Sequence, residues 1–176
     1  LIEYYNQILK NEKSRNDIIN YYAQNDYVQN GSGIIQYLED LKLSSKNMAC
    51  LMMIVSDNIA TNKMIDYLGF DNINNTIKQL GFKNTFLNAK KLDFNIYNSI
   101  GKTTALEYAK AYEMILKKEI LTPNLCNEII EILSHQTKND MIIRYLPPKY
   151  LEEKGSDHAF IKYIATKSGG LGEEGK

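Results

Sequence analysis

The chain has no tryptophan, and only three prolines, two cysteines and two histidines in 176 residues. Cys50 and Cys126 fall on different predicted helices and read as buried apolar fillers. They do not compose a metal constellation. His135 and His158 are far apart and lack a ligand partner at helical spacing, so both read as surface or loop residues. No metal and no cofactor are expected. Net charge is also missing: Lys plus Arg number 21 against 21 Asp plus Glu. With no basic patch interleaved with aromatics, nothing argues for nucleic acid or an acidic membrane as a partner. No apolar run reaches membrane-spanning length, and no signal peptide stands at Leu1. The chain begins without Met and in mid-helix, as a mature or trimmed segment would. It shows no internal repeat and no low-complexity linker.

What is present is ordinary globular composition, 44% hydrophobic and 24% charged, enough for one domain with a real core. The thirteen tyrosines read as core and surface aromatics. Ile2, Tyr5 and Leu9 give Leu1–Lys10 one apolar face. A second helix is expected over roughly Asn16–Gln24. Asn25–Gly33 (NDYVQNGSG) is turn chemistry and predicts a loop. Ile34, Leu38 and Leu41 suggest a short helix. Ser44 or Ser45 caps the next one, which contains the uncharged run Met48–Val55 (MACLMMIV).

A fresh helix follows Ser56 and stops at Gly69, a glycine of the kind that ends helices. Asp71 is read as the cap of another, with Ile73, Ile77 and Leu80 inward and Gly81 as its stop. Lys83–Lys102 has no sustained period and is the longest irregular stretch; such loops in compact domains are often functional. Thr104 with Glu107 suggests a capping box. Ala105, Ala109, Tyr112 and Leu116 line the helix behind it. Thr122-Pro123 opens a further helix with Leu125, Ile129 and Ile132 inward. Asp140–Leu146 reads as a short helix closed by Pro147-Pro148. Glu152–Asp157 is a charged turn, and His158–Thr166 (HAFIKYIAT) reads as one strand. The expected fold class is mainly α, with one sheet strand near the C-terminus. The expected division is a helical domain over 1–150 and the first part of a sheet domain over 151–176. A lone strand is not stable by itself, so partner strands are expected outside this segment.

Two short polar motifs carry the chemistry. Ser56-Asp57-Asn58 sits between two apolar helices. On its own the triplet is also ordinary helix-cap composition. Lys167-Ser168-Gly169 closes the strand-like run.

An S-D-N triplet on a helix turn followed by K-[ST]-G resembles the penicillin-recognising serine hydrolases. The chain looks like the class A β-lactamase family, and more closely like serine-hydrolase relatives that lack its usual loop Glu. Gly33–Leu38 (GIIQYL), Met53–Gly69, Leu80-Gly81, Thr103-Thr104 and Thr166–Gly169 resemble family landmarks in order, so the likeness covers almost the whole chain. It implies the helical domain of an α/β fold with helices against an antiparallel sheet. It also implies a bacterial extracellular or cell-envelope location, and as partner a small-molecule β-lactam or a cell-wall peptide.

The resemblance assigns roles. Ser56 is a proton relay and Lys167 a fixed positive charge beside it. Asn58 offers an amide donor and a carbonyl acceptor to a substrate amide. Ser168 meets a substrate carboxylate, Gly169 lets backbone approach closely, and Gly170 supplies an oxyanion-hole N–H. Asp57 is read as a buried cap that fixes the turn. Arg144 would meet the substrate carboxylate, as an arginine does in some relatives, although a surface position is the simpler reading. The family's S-x-x-K nucleophile motif is expected just before Leu1. Ser99-x-x-Lys102 matches its spacing but lies on the wrong side of Ser56.

One departure stands out. The class A enzymes place a Glu in the loop corresponding to Lys83–Lys102 to activate the deacylating water. No Glu occurs here between Glu39 and Glu107. Counting from Thr85, Lys91 falls at that position, and Asp93 is the loop's only acid. The loop also lacks the Arg and Asp pair that usually pins it. The resulting expectation is a serine-dependent acyl-transfer hydrolase acylated by β-lactams and slow to deacylate. The alternatives are a D,D-peptidase acting on cell-wall peptides and a penicillin-binding sensor without turnover.

Overall fold

The computed structural model describes residues 1–94, 101–138, 141–148 and 164–169. Six helices dominate among the described residues: α1 (Ile2–Leu9), α2 (Ser45–Ile54), α3 (Asn58–Leu68), α4 (Phe70–Gln79), α5 (Ala105–Leu116) and α6 (Pro123–Ser134). Strands β1 (Ile18–Tyr21) and β2 (Leu41–Ser44) form a small antiparallel sheet, with Ile18 opposite Ser44 and Tyr21 opposite Leu41. Single 3-10 turns lie at Ile35–Tyr37 and Ile142–Tyr145. The mainly helical class expected from the sequence is the one observed.

The uncharged run makes α2 the centre of the packing. This helix touches α3, α6, β1 and β2. Tyr4, Tyr5, Tyr21, Met48, Ile59 and Ile129 are among its fully buried neighbours and members. Each such aliphatic side chain contributes about 1.5–3 kcal/mol by leaving water. Ser44 caps α2 by accepting from the Asn47 N–H at 3.2 Å. Thr122 and Pro123 open α6, and Leu125, Ile129 and Ile132 are buried as the spacing predicts. Cys126 is buried and Cys50 half-buried, both free thiols.

Local patterns misled at several points. Residues 16–24 do not form a helix: Ile19 and Tyr21 are buried while Ile18 and Tyr22 are exposed, the two-residue period of a strand. The pairing that selects this conformation comes from Leu41–Ser44, twenty to twenty-six positions away. It also takes Leu41 out of the short helix expected after Ile34, leaving only the turn Ile35–Tyr37.

On α1 the buried face is Tyr4 and Tyr5 with Glu3 and Gln7, and Leu9 is exposed. Glu3 is tolerated there because Gln7, Asn6 and Thr76 donate to its carboxylate, and Gln7 also reaches the Leu68 carbonyl at 2.9 Å. Asp71 does not cap α4. That helix starts directly after Gly69, and Asp71 lies in its first turn, where a negative charge still suits the helix dipole.

On α5, Ala105, Ala109 and Leu116 face solvent and Ile115 is the buried residue. Thr104 accepts from the Glu107 N–H at 3.2 Å, but the Glu107 carboxylate turns to the Lys83–Thr85 segment instead of closing the box.

Of the strand expected over His158–Thr166, residues 158–163 lie outside the described residues. Ile164–Thr166 carry no strand, since no described segment pairs with them. Their backbone is held by the Thr166 N–H to the Leu133 carbonyl, 3.3 Å, at the end of α6. The boundary at 150/151, the charged turn, His158, Ser99, Asp140 and Gly170 also lie outside the described residues.

Candidate active site

The site is built at the turn between α2 and α3. Val55 ends α2, Ser56 takes a left-handed backbone (φ 54°), and Asp57 opens α3. A serine in that region costs about 1 kcal/mol or more, so the surroundings must impose it. Asp57 supplies much of that restraint. Its side chain is fully buried and accepts three backbone N–H groups: Ala60 at 3.0 Å, Ile34 at 2.7 Å and Ile35 at 2.9 Å. One carboxylate therefore caps α3 and fastens the loop before the 3-10 turn to the S-D-N corner. Gly33 makes this possible. Its φ is +115°, and a Cβ there would overlap the Asp57 carboxylate and Cα.

The K-S-G segment reaches the same corner. Lys167 Nζ donates to Ser56 Oγ at 2.7 Å and to the Ser168 carbonyl at 2.6 Å. Burial holds the Lys167 ammonium below the usual lysine range, and the like charge of Lys138 acts in the same direction. The Ser168 hydroxyl is buried and has no hydrogen-bond partner among the described residues. Gly169 is exposed, and a Cβ there would meet no atom within 4 Å. Tyr108 on α5 donates to the Lys167 carbonyl at 3.0 Å and stacks edge-on with Tyr112. Of the residues singled out in the sequence, Ser56 and Lys167 thus meet directly. Arg144 does not join them. It is exposed and lies over the Tyr145 ring.

Asn58 is half-committed. Its Oδ1 accepts from the Ser32 N–H, and the Ser32 hydroxyl lies 3.1 Å from the same oxygen. Several bracing residues were not singled out from the sequence: Ser32, Tyr108, Asn62, Asn74 and Gln136. Gln136 Nε2 donates to the Met53 carbonyl at 2.7 Å, tying the end of α6 to the end of α2. The glycine-rich NGSG was the available signal for the Ser32–Gly33 approach, whereas the others are single polar residues with no local signature.

The loop after α4 is pinned without an Arg and Asp pair. Phe86 and Lys102 form an antiparallel bridge. The Glu107 carboxylate accepts from the Thr85 hydroxyl at 2.6 Å and from the Lys83 N–H at 2.9 Å, which hold it below the usual carboxylate range. Asn74 exchanges two bonds with the Leu87 backbone, and Asn62 Oδ1 accepts from the Leu92 N–H at 2.7 Å. Asn62 sits one helical turn beyond Asn58, so the loop is fastened directly beside the S-D-N corner. Lys91 is exposed and Asp93 half-buried. A cleft of about 340 Å³ between Asp66, Phe70 and Lys90 contains none of the site residues. Among the described residues no His, Cys, Asp or Glu group is arranged to hold a metal ion, and no helix is long and apolar enough to cross a membrane.

Residues 1–173 match the sequence profile of the Beta-lactamase enzyme family. The chain belongs to that family. Its fold is similar to a β-lactamase from Sphaerobacter thermophilus, with TM-score 0.76 and 29% identity over 83% of this chain and 56% of that one. PBP-A is similar at TM-score 0.69 and 23% identity, over 78% of this chain and 51% of that one. A class A β-lactamase representative from Bacteroides cellulosilyticus follows at TM-score 0.71 and 17% identity, over 83% and 55%. At those identities the last two show the fold alone. A PBP-A mutant has also been solved as an acyl-enzyme complex with penicillin G. The chain spans about half the length of these relatives. No curated protein sequence matches it.

Proposed function

We propose that this segment carries the proton-relay half of a serine-dependent acyl-transfer site. In this reading the complete protein is acylated by β-lactams and deacylates slowly. The observation that carries the reading is the 2.7 Å contact from Lys167 Nζ to Ser56 Oγ. An ammonium can only donate, so Ser56 Oγ is the acceptor and its own proton must point elsewhere. That leaves the hydroxyl free to protonate a leaving nitrogen as an acyl C–N bond breaks, while the adjacent positive charge eases loss of the proton. The attacking serine belongs to residues outside this chain: the carbonyl carbon exchanges its bond to nitrogen for a bond to that oxygen, and the proton the oxygen sheds replaces the one Ser56 gives to nitrogen.

Substrate recognition uses the neighbouring groups. The Ser168 hydroxyl, without a partner among the described residues, is a donor for a substrate carboxylate. Open space beside Gly169 admits a substrate backbone or ring. Gly170 supplies an oxyanion-hole N–H, and Asn58 meets a substrate amide. The acylated state of a PBP-A mutant with penicillin G supports the choice of β-lactam.

Slow deacylation follows from the loop. With no Glu between Glu39 and Glu107 and an exposed Lys91, the loop offers no carboxylate of glutamate length to activate water. The same observation favours a D,D-peptidase acting on cell-wall peptides, or a penicillin-binding sensor, over an efficient lactamase. A bacterial extracellular or cell-envelope setting, where cell-wall peptides are met, fits each of these.

Intact-mass analysis of the complete protein after benzylpenicillin tests the reading. A persistent adduct with little turnover of a chromogenic cephalosporin is expected. Efficient turnover of the cephalosporin would sink the slow-deacylation claim, and absence of any adduct would sink acylation itself.

A further inference from the structure

The turn that leads into the S-D-N corner selects its own residues. Asn30 adopts a left-handed backbone (φ 58°), which asparagine tolerates better than most side chains. The next position has to be glycine, because a Cβ there would stand 2.9 Å from the Val28 carbonyl oxygen and 3.1 Å from the Val28 side chain. The fold thus sets Asn before Gly, and no other asparagine of the chain precedes a glycine. That pair is chemically labile. With no Cβ beside it, the glycine nitrogen is unshielded, and its backbone turns freely enough to close a five-membered ring. The Asn30 side chain is exposed and hydrogen-bonds no described residue. The Gly31 N–H donates to the Val28 carbonyl at 3.0 Å, a single turn bond whose local opening frees the nitrogen.

The chain is fixed on both sides of this pair. Val28 is buried in the core. Ser32 is clamped to the corner: its N–H donates to Asn58 Oδ1, its carbonyl accepts the Asn58 N–H at 2.9 Å, and its hydroxyl donates to the Ser56 carbonyl at 2.9 Å. Gln36 Nε2 also donates to the Gly31 and Gly33 carbonyls at 3.3 and 3.1 Å. Only Gln29, Asn30 and Gly31 separate Val28 from Ser32, so an added backbone atom has no slack to enter.

We propose that Asn30-Gly31 is a site of spontaneous modification whose product displaces Ser32 and disarms the S-D-N corner. The Gly31 nitrogen attacks the Asn30 side-chain carbonyl carbon and forms a C–N bond. Its proton leaves with the departing side-chain nitrogen as ammonia. Water then opens the cyclic imide. Cleavage at the former backbone carbonyl routes the chain through the side chain and gives isoaspartate, with one extra backbone carbon and one new carboxylate. Cleavage at the other carbonyl gives ordinary aspartate, which adds the charge alone. The extra carbon is what pulls Ser32 off Asn58 and takes its brace from Ser56. The effect on acylation rests on the acyl-transfer reading, whereas the modification and the displacement do not.

The test ages the complete protein at mildly alkaline pH and maps its peptides. Asn30 is expected to convert ahead of every other asparagine of the folded protein. Conversion elsewhere ahead of Asn30, or none at Asn30, overturns the proposal. The isoaspartate fraction, separated by chromatography, should be acylated by benzylpenicillin at least about tenfold more slowly than fresh protein, the scale expected of a displaced site. Fresh Asn30→Asp, which has the charge on a normal backbone, should keep the rate. Asn30→Gln, whose ring would have six members, should keep its rate through the same ageing. Equal rates for isoaspartate and fresh protein, an equal loss in fresh Asn30→Asp, or an equal loss in aged Asn30→Gln overturns the proposal. Hydrogen exchange at the Ser32 and Asn58 amides reads the displacement without acylation. Both should lose protection in the isoaspartate fraction and keep it in Asn30→Asp, and unchanged protection overturns the displacement. Fresh protein that takes up no penicillin counts against the acyl-transfer reading, and the exchange then decides.

Discussion

Lys167 Nζ and Ser56 Oγ, separated by 111 positions in the chain, stand 2.7 Å apart. The contact joins the S-D-N corner to the K-S-G segment and places a desolvated ammonium on a hydroxyl that has its own proton to give.

The ammonium should make the chemistry pH-sensitive on the alkaline side. Burial first, and Lys138 second, lower the Lys167 pKa from 10.5. Its charge is therefore lost as pH rises through a value below the ordinary one, and acylation should fall there. Stability moves the other way. The penalty for the buried charge is complete below the folded pKa and is relieved as pH rises toward the unfolded value. Lys138→Met removes the like charge, raises the Lys167 pKa, and should shift the alkaline limb of the acylation profile upward. A limb that does not move would show that Lys138 has no electrostatic hold on the site.

Gly33→Ala should be severe. The new methyl would overlap the Asp57 carboxylate, and φ +115° is unsuitable for an L side chain. The strain and overpacking together predict a loss of about 3 kcal/mol or more. In a chain of this size that lowers the melting midpoint by about 6–12 °C. Thermal unfolding followed by circular dichroism checks it, and a shift under two degrees contradicts the close approach.

Asp57→Asn tests the buried cap. Either orientation of the amide places an NH2 group against one or more of the Ile34, Ile35 and Ala60 N–H donors. The expected cost is about 2–4 kcal/mol, read from denaturant unfolding. A near-neutral effect would mean that the carboxylate does not fasten the loop to the corner.

Glu107→Ala should release the start of the Lys83–Lys102 loop. The Lys83 and Asn84 N–H groups lose their acceptor, so their hydrogen exchange should accelerate while the core of α2 stays protected. Because the folded Glu107 pKa is lowered, its contribution is present above the unfolded carboxylate value and fades as pH falls through the folded one. In wild type, faster exchange at these two amides should therefore appear on acidification. Unchanged exchange in the variant would remove Glu107 from the account of the loop.

Much of this architecture was legible in the sequence, for identifiable reasons. Caps and breakers act locally, so Ser44, Asp57, Gly69, Thr104 and Thr122 mark helix ends where the structure has them. The uncharged MACLMMIV marked the central helix. The β1–β2 pair was not legible, because a strand is selected by a partner that local periodicity does not contain, and Ile18 and Tyr22 filled the outer face with apolar residues. The two motifs of the site could be named, but not their distance. The braces were the least visible part: Ser32 reaches Asn58 across 26 positions by several bonds, Asn62 and Tyr108 act through single bonds to backbone across 30 and 59 positions, and no spacing rule announces them.

Peptide mapping of the penicillin adduct bears most directly on the relay role of Ser56. The account predicts that the acyl group lies on a serine outside these 176 residues. It also predicts that Ser56→Ala slows formation of that adduct by at least about a hundredfold, as loss of a proton relay should. An adduct on Ser56 itself, or an acylation rate untouched by Ser56→Ala, would contradict it.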